Sequence, residues 1–148
     1  MKRSLLLAAT ISTISFFPFG AVAQEMDQRL PGVWAMTNLE VADGNGSMQS
    51  IPYSGQIVFS ENGHMSVQAM NNDADAADTP YTRHGYEAQY GQVATDASAG
   101  TLVFTIESAL VRDLIGTQLN RRYEVTGDNL ILLPADPAEG FRVTYEKK

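Results

Sequence analysis

The sequence contains no cysteine and only two histidines, His64 and His84. The absence of cysteine excludes a disulfide framework, a thiolate nucleophile and sulfur ligands for a metal. The two histidines lie far apart and lack the spacing of a metal-binding helix. No metal site is therefore predicted, and the stability of the fold has to come from a packed core.

Basic residues are also scarce, with 10 lysines and arginines against 17 aspartates and glutamates and a net charge of −7. Such a chain is a poor partner for nucleic acid, because phosphate binding requires clustered lysine and arginine. The same charge disfavours anionic membrane surfaces. The acidic residues Asp73, Asp75 and Asp78 resemble a calcium loop, but the glycine and terminal glutamate of an EF-hand are missing. A solvated acidic loop is therefore expected there.

Motifs of catalysis and cofactor binding are missing as well. The sequence has no Gly-x-Ser-x-Gly nucleophile elbow, no phosphate loop and no dinucleotide fingerprint. No cofactor is therefore predicted.

The N-terminus has the features of a cleavable export signal, with a basic start, an apolar stretch over 5–17 and small residues that end at Ala23. The apolar stretch is shorter than the roughly 20 residues that a membrane-spanning helix needs. No cysteine follows the cleavage point, which excludes a lipid anchor there. The sequence predicts a signal peptide over 1–23, cleavage after Ala23, and one periplasmic or secreted domain over 24–148 with no integral membrane segment.

The remainder of the chain alternates short apolar-polar stretches with tight turns and has no long helical pattern. Turn residues such as Asp43-Gly44-Asn45-Gly46 are typical of connections between antiparallel strands. The segment 111–116 is expected to be a helical turn or an irregular link, and 71–85 a polar loop. Short connections favour an all-β, eight-stranded antiparallel up-and-down barrel over a parallel sheet. The predicted strands are 32–41, 56–60, 64–70, 86–95, 101–110, 117–125, 130–134 and 141–146.

Period-two alternation assigns side chains to the two faces of each strand. In 101–110 the apolar face carries Leu102, Phe104, Ile106 and Leu110. In 117–125 the apolar face carries Leu119, Tyr123 and Val125, and Arg121 falls on the same side. An arginine inside a small barrel has to be paired, because an unpaired buried charge costs several kcal/mol.

Four blocks of sequence, taken in order and spacing, resemble the bacterial lipocalin-like domain family. The resemblance covers most of residues 30–146 and implies a calycin-type β-barrel. It says much more about the fold than about the activity. The blocks are Leu-Pro-Gly-Val-Trp at 30–34, Ile-Val-Phe-Ser-Glu-Asn-Gly-His-Met-Ser-Val-Gln at 57–68, Tyr-Glu-Ala-Gln-Tyr-Gly at 86–91, and Gln-Leu-Asn-Arg-Arg-Tyr-Glu-Val at 118–125.

The resemblance also implies structural roles for Gly32 and Trp34 at the start of the first strand. In classical lipocalins an arginine from near the end of the barrel covers this tryptophan, and Arg121, Arg122 or Arg142 is the candidate here. For Arg121 three interpretations stay open. It stacks on Trp34 as a cation–π cover, it binds a ligand carboxylate or pairs with Glu40, or it is exposed in a slipped register.

Polar and aromatic residues elsewhere are candidates for the interior. Glu40 shares the face of Trp34 if the first strand has no bulge. In the third predicted strand the inner face is ambiguous, with Gln68 on one side and Val67 on the other. Tyr86 and Tyr90 share a face and are expected to line a pocket, with core filling as the alternative. The cavity candidates are Glu40, Gln68, Tyr86, Tyr90, Phe104, Arg121 and Tyr123.

Three functional hypotheses from different classes follow. The first is an exported carrier that binds a small hydrophobic molecule inside the barrel. The second is a cofactor-free isomerase or cyclase that uses Glu40, Tyr90 and Arg121. The third is a protein-binding or inhibitory barrel that acts through its loops, above all through 71–85.

Overall fold

The computed structural model describes residues 26–148, and the predicted signal peptide lies outside them. The described chain forms nine β-strands and two short 3-10 turns, Arg112–Leu114 and Pro137–Glu139. Within it no helix is long and apolar enough to cross a bilayer. The strands are β1 (Gly32–Ala42), β2 (Met48–Ile51), β3 (Tyr53–Phe59), β4 (His64–Asn71), β5 (Tyr86–Asp96), β6 (Thr101–Ala109), β7 (Gln118–Thr126), β8 (Asn129–Pro134) and β9 (Phe141–Lys147).

The strands close into a barrel. Each strand from β3 to β8 pairs in antiparallel fashion with the next, and β1 pairs with β9 to complete the cylinder. β2 and β3 follow the same edge of β1, since 39–42 pair with β2 and 32–35 pair with β3. Pro52 separates β2 from β3 because proline has no N–H to donate to a ladder. The two act as one interrupted strand, so the predicted eight-stranded antiparallel barrel is confirmed.

One end of the barrel is closed by the segment that precedes β1. Met26 and Leu30 belong to the buried core together with Trp34. The Trp34 indole Nε1 donates a 2.7 Å hydrogen bond to the Leu30 carbonyl oxygen, and Asp27 accepts a 2.6 Å hydrogen bond from the Tyr123 hydroxyl. This segment therefore plugs the end of the barrel at which β1 begins.

The cover over Trp34 is a lysine. Lys147 at the end of β9 places its Nζ 5.0 Å from the centre of the indole and donates a 3.3 Å hydrogen bond to the Arg29 carbonyl oxygen. Gly32 provides the space for the Lys147 side chain. A β-carbon at residue 32 would lie 2.9 Å from Lys147 Cε, and the φ of 134° at Gly32 is one that other residues rarely adopt. The expectation that an arginine covers Trp34 is wrong for this chain.

The three arginines proposed for that role lie elsewhere. Arg122 and Arg142 are exposed on the outside of the barrel. Arg121 is buried with its side chain pointing inward, as the alternation in β7 predicts. However, it sits at the opposite end of the barrel from the indole, between Tyr81 and Phe141.

A bulge in β1 reverses the face predicted for Glu40. The register with β9 shifts between Met36 and Asn38, so Thr37 is an extra residue. Both Met36 and Leu39 then border the interior. Glu40 therefore points outward, where its carboxylate lies 4.0 Å from Arg142, and the expectation that it faces the cavity is wrong.

In β5 the tyrosines point outward, and the polar residues between them point inward. Tyr86 and Tyr90 are 40% and 52% exposed, whereas Glu87 and Gln89 border the interior. The buried Val93 lies on the same face as these two, as period-two alternation requires. The expectation that the tyrosines line a pocket is therefore corrected.

A second bulge lies in β6. Tyr90 pairs with Ser108 and Gly91 with Ile106, which leaves Glu107 as the extra residue. Gly91 is needed at this point, because a β-carbon would lie 2.0 Å from the Thr105 carbonyl oxygen. The bulge also ends the predicted alternation in β6.

In consequence Leu110 is exposed rather than on the apolar face of Leu102 and Phe104. The ambiguity in β4 is settled in favour of Val67, which is buried. Gln68 is exposed and accepts a 3.0 Å hydrogen bond from Gln56 on the outer surface. The cavity assignment of Gln68 is corrected accordingly.

Candidate binding cavity

A cavity of about 410 Å³ occupies the end of the barrel away from Trp34. This volume lies within the range of small-molecule sites in proteins, roughly 300–1,000 Å³. Strand alternation directs one apolar side chain after another toward it, because every second residue of each strand faces the interior. Its apolar wall includes Ile57, Val67, Phe104, Leu132 and Val143.

A polar cluster of Arg121, Tyr81 and Glu139 stands at the mouth of this cavity. Arg121 donates a 3.2 Å hydrogen bond to Glu139 Oε1 and a 3.1 Å hydrogen bond to the Tyr81 hydroxyl. The Tyr81 hydroxyl in turn donates to Glu139 Oε2 at 2.7 Å. The Asn120 carbonyl oxygen accepts a further bond from the guanidinium at 2.8 Å. Arg121 is therefore neutralised and hydrogen-bonded by the protein itself.

Aromatic rings complete this cluster. The guanidinium carbon of Arg121 lies 5.2 Å from the centre of the Phe141 ring and 5.8 Å from that of Tyr81. Such stacking is favourable for a planar cation. Burial, together with the hydrogen bond to Glu139, raises the pKa of the Tyr81 hydroxyl. The hydroxyl consequently stays a hydrogen-bond donor over the physiological pH range.

The loop between β4 and β5, residues 72–85, positions Tyr81 at the mouth of the cavity. Thr82 is buried and its hydroxyl accepts a 2.9 Å hydrogen bond from the Thr79 backbone N–H. His84 has a φ of 52°, which is uncommon for a residue other than glycine. A 2.6 Å hydrogen bond from its backbone N–H to Asp78 Oδ1 stabilises this conformation. The acidic part of the loop remains exposed, and its hypothesised role in protein binding stays a prediction.

The wall of the cavity also carries a polar pair on β5, Glu87 and Gln89. The Gln89 amide Nε2 donates a 2.7 Å hydrogen bond to Glu87 Oε1. Gln89 is only 8% exposed, and within the described chain its Oε1 has no hydrogen-bond partner. A buried acceptor left without a donor is costly, so this oxygen is the most unusual atom of the cavity.

The electrostatic environment of Glu87 is also unusual. Burial raises the pKa of its carboxyl to about 7, although the Gln89 amide and the positive charge of Arg121 oppose the shift. Burial and the nearby charge of Glu87 raise the pKa of Tyr53 and of Tyr145. Glu87 is therefore the acidic group of the cavity whose ionisation changes near neutral pH.

Sequence reasoning placed only some of its candidates at the cavity. Phe104 and Arg121 line it. Tyr123 is buried at the plugged end, where burial and Asp27 raise its pKa to about 12. The residues proposed for an isomerase or cyclase do not meet, because Glu40 and Tyr90 lie on the outer surface while Arg121 lies inside. That catalytic arrangement is corrected.

Four polar residues of the site were missed by the sequence analysis. Glu87 and Gln89 could have been found by counting back from Val93 in steps of two. Tyr81 and Glu139 carried no such signal, since they come from a loop and a 3-10 turn whose placement depends on the whole fold. Among residues 26–148 no group of three or more histidine, aspartate or glutamate side chains is arranged to hold a metal ion.

Comparison with known proteins supports the fold. No protein-family model and no curated protein matches the chain. A lipocalin-like protein from Bacteroides uniformis matches with a TM-score of 0.52 and 15% identity, over 81% of this chain and 99% of that protein. An uncharacterized protein from Bacteroides eggerthii matches with a TM-score of 0.50 and 16% identity, over 80% and 99% of the two chains.

A mutant of the fluorescent protein UnaG matches more loosely, with a TM-score of 0.41 and 9% identity over 81% of this chain and 96% of that one. The two Bacteroides proteins have low identities to this chain, so their match establishes the fold rather than the function. The fold is that of the lipocalin-like, calycin-type barrels.

Proposed function

We propose that this chain is an exported carrier that binds one small, largely apolar molecule inside its barrel. The observation that carries the proposal is the cavity of about 410 Å³, which is lined largely by apolar strand residues and opens at its mouth. Protein interiors are otherwise close-packed, and empty space forfeits dispersion contacts. A guest that fills the cavity restores those contacts and removes its own apolar surface from water.

The mouth cluster supports reversible entry. Its three side chains come from separate elements: Tyr81 from the 72–85 loop, Arg121 from β7, and Glu139 from the 3-10 turn before β9. The side chain of Glu139 is 32% exposed, whereas that of Arg121 is only 7% exposed, so Arg121 has to keep Glu139 as its partner when Tyr81 moves away. A movement of the loop that withdraws Tyr81 would open the cavity without disturbing the strand ladders.

Filling the cavity tests the proposal. Replacement of Val67 by phenylalanine places a ring in the apolar wall, where it competes with the guest for space. With octan-1-ol as the probe, we expect Val67→Phe to weaken binding about tenfold or more, which corresponds to about 1.4 kcal/mol. Isothermal titration calorimetry measures the affinity.

The matched control is Val33→Phe, which adds the same ring at a residue that is 39% exposed. It should bind octan-1-ol as the parent protein does. Circular dichroism verifies that both variants keep the β-fold. Equal octan-1-ol affinities for the parent, Val67→Phe and Val33→Phe would contradict binding inside the barrel.

The proposal of export rests on the sequence of the N-terminus alone. Expression of the full chain in a Gram-negative host, followed by N-terminal sequencing of the protein released from the periplasm or medium, tests it. The expected mature chain begins at Gln24, after removal of 1–23. Recovery of the uncleaved chain from the cytoplasm would contradict it.

A further inference from the structure

We propose that the guest is a lipophilic molecule with a hydrogen-bond-donating head group, preferably an amine, and that Gln89 and Glu87 in the cavity wall bind this head. The inference rests on the proposed function and names the class of molecule that the same site takes. It also assigns the binding roles within the cavity: apolar side chains hold the body of the guest, and the β5 pair recognises its head.

The unpartnered oxygen of Gln89 is the first observation. Gln89 borders the cavity and is more than nine-tenths buried, and its Oε1 finds no donor within the described chain. Above about pH 7, where the Glu87 carboxyl is ionised, it accepts hydrogen bonds only and therefore faces the NH₂ side of the Gln89 amide. The buried carbonyl oxygen is thereby left without a donor, and a rotation of the Gln89 side chain would present it to a ligand that donates an N–H or an O–H.

The charges around the pair determine which donor fits best. Arg121 on β7 already has protein partners in Glu139, Tyr81 and Asn120. A guest carboxylate would thus find no free cation in this cluster, and it would meet the like charge of Glu87. An ammonium head instead donates to Gln89 Oε1 and to the Glu87 carboxylate at once, and charge-assisted hydrogen bonds are the stronger kind.

The remaining groups that face Glu87 are uncharged. Tyr53 on β3 and Tyr145 on β9 both feel its charge, and the pKa of each hydroxyl is raised. These two hydroxyls stay neutral, whereas burial raises the pKa of Glu87 to about 7. In addition, the net charge of −7 attracts cations toward the protein.

Four probes that share one octyl chain test the inference: octylamine, octan-1-ol, octyl methyl ether and octanoate. At pH 8 we expect affinity to fall in that order. Octylamine should exceed octanoate by about tenfold or more, since a hydrogen bond to a charged group corresponds to a factor of that size. At pH 5.5, where Glu87 is protonated, the advantage of octylamine over octan-1-ol should shrink.

Two variants link the preference to the pair. Glu87→Gln should reduce octylamine binding to the level of octan-1-ol and remove the pH dependence. Gln89→Leu should weaken octylamine and octan-1-ol while leaving octyl methyl ether unaffected. The outer face of the same strand offers a matched control, because Gln92 donates a 2.8 Å hydrogen bond to Glu107 there. Glu107→Gln and Gln92→Leu should keep the order of the parent protein.

The outcomes separate the two proposals. Equal binding of the four probes, tightest binding of octanoate, or an unchanged order in both Glu87→Gln and Gln89→Leu would overturn the head-group inference and leave the carrier proposal standing. Failure of all four probes to bind would overturn both.

Discussion

Replacement of Trp34 by alanine is expected to lower the free energy of unfolding by about 3–5 kcal/mol, the usual cost of removing a large buried aromatic side chain. Trp34 has no exposed surface. Its loss removes the indole hydrogen bond to Leu30 and the ring under Lys147. Urea denaturation, followed by far-ultraviolet circular dichroism, measures the change.

Two further variants show which part of the Trp34 side chain accounts for the lost stability and serve as controls. Trp34→Phe keeps a ring but removes the N–H donor, so it should be less destabilising than Trp34→Ala. Tyr90→Ala removes a ring that is 52% exposed on the outer wall and should change stability by no more than about 0.5 kcal/mol. A Trp34→Ala protein as stable as Tyr90→Ala would show that the plugged end contributes little to the fold.

Stability is expected to fall as the pH rises from about 4.5 to about 7, by up to about 3 kcal/mol from Glu87 alone. In the unfolded chain this carboxyl loses its proton near pH 4.5, whereas burial keeps it protonated in the folded protein until about pH 7. Between these values the folded state binds more protons than the unfolded state. Raising the pH therefore favours unfolding within this window, and the effect levels off above it.

The contribution of Asp27 lies outside that window. Its hydrogen bonds with Arg29 and Tyr123 lower its pKa below the ordinary value of 3.8. The resulting stabilisation is present above about pH 4 and is lost as the pH falls further. The profile between pH 4.5 and 7 is consequently governed by Glu87 rather than by Asp27.

Urea denaturation at several pH values checks the Glu87 prediction. Glu87→Gln should remove most of the decline in stability, because glutamine does not ionise. Glu107→Gln, on the outer surface of the neighbouring strand, should keep the decline. If Glu87→Gln and the parent protein have the same pH profile, the buried environment assigned to this carboxyl is wrong.

Apart from β2 (Met48–Ile51), which the sequence analysis did not predict, the strands followed from local patterns in the sequence. Turn residues marked the hairpins, and period-two alternation identified Leu102, Phe104 and Ile106 as interior residues, all of which are buried. Alternation failed where a bulge added a residue, at Thr37 in β1 and at Glu107 in β6. Bulges change which face a residue occupies without changing the composition of the strand, so the pattern alone did not reveal them.

The candidate site was harder to predict than the barrel. In β5 the apolar Val93 identifies the inner face, and Tyr86 and Tyr90 lie on the other face of the strand. Arg121 was correctly placed inside, but its partners come from the distant loop and turn that supply Tyr81 and Glu139. Such long-range contacts are set by closure of the whole barrel, and residue spacing carries no information about them.

The cation over Trp34 illustrates the same limit. The family resemblance pointed to an arginine, yet Lys147 reaches the indole from β9. The antiparallel pairing of Trp34 with Lys147 brings the lysine there, and Gly32 gives its stem room. The resemblance therefore predicted that a cation covers Trp34. Which residue supplies the cation depends on the register between β1 and β9.

Binding of one guest inside the barrel is tested most directly by a crystal structure of the protein grown with octan-1-ol. We expect electron density for one octyl chain among Ile57, Phe104 and Leu132, with the hydroxyl at hydrogen-bonding distance from Gln89 Oε1. A barrel in which side chains fill this space, or octan-1-ol found only on the outer wall, would contradict it.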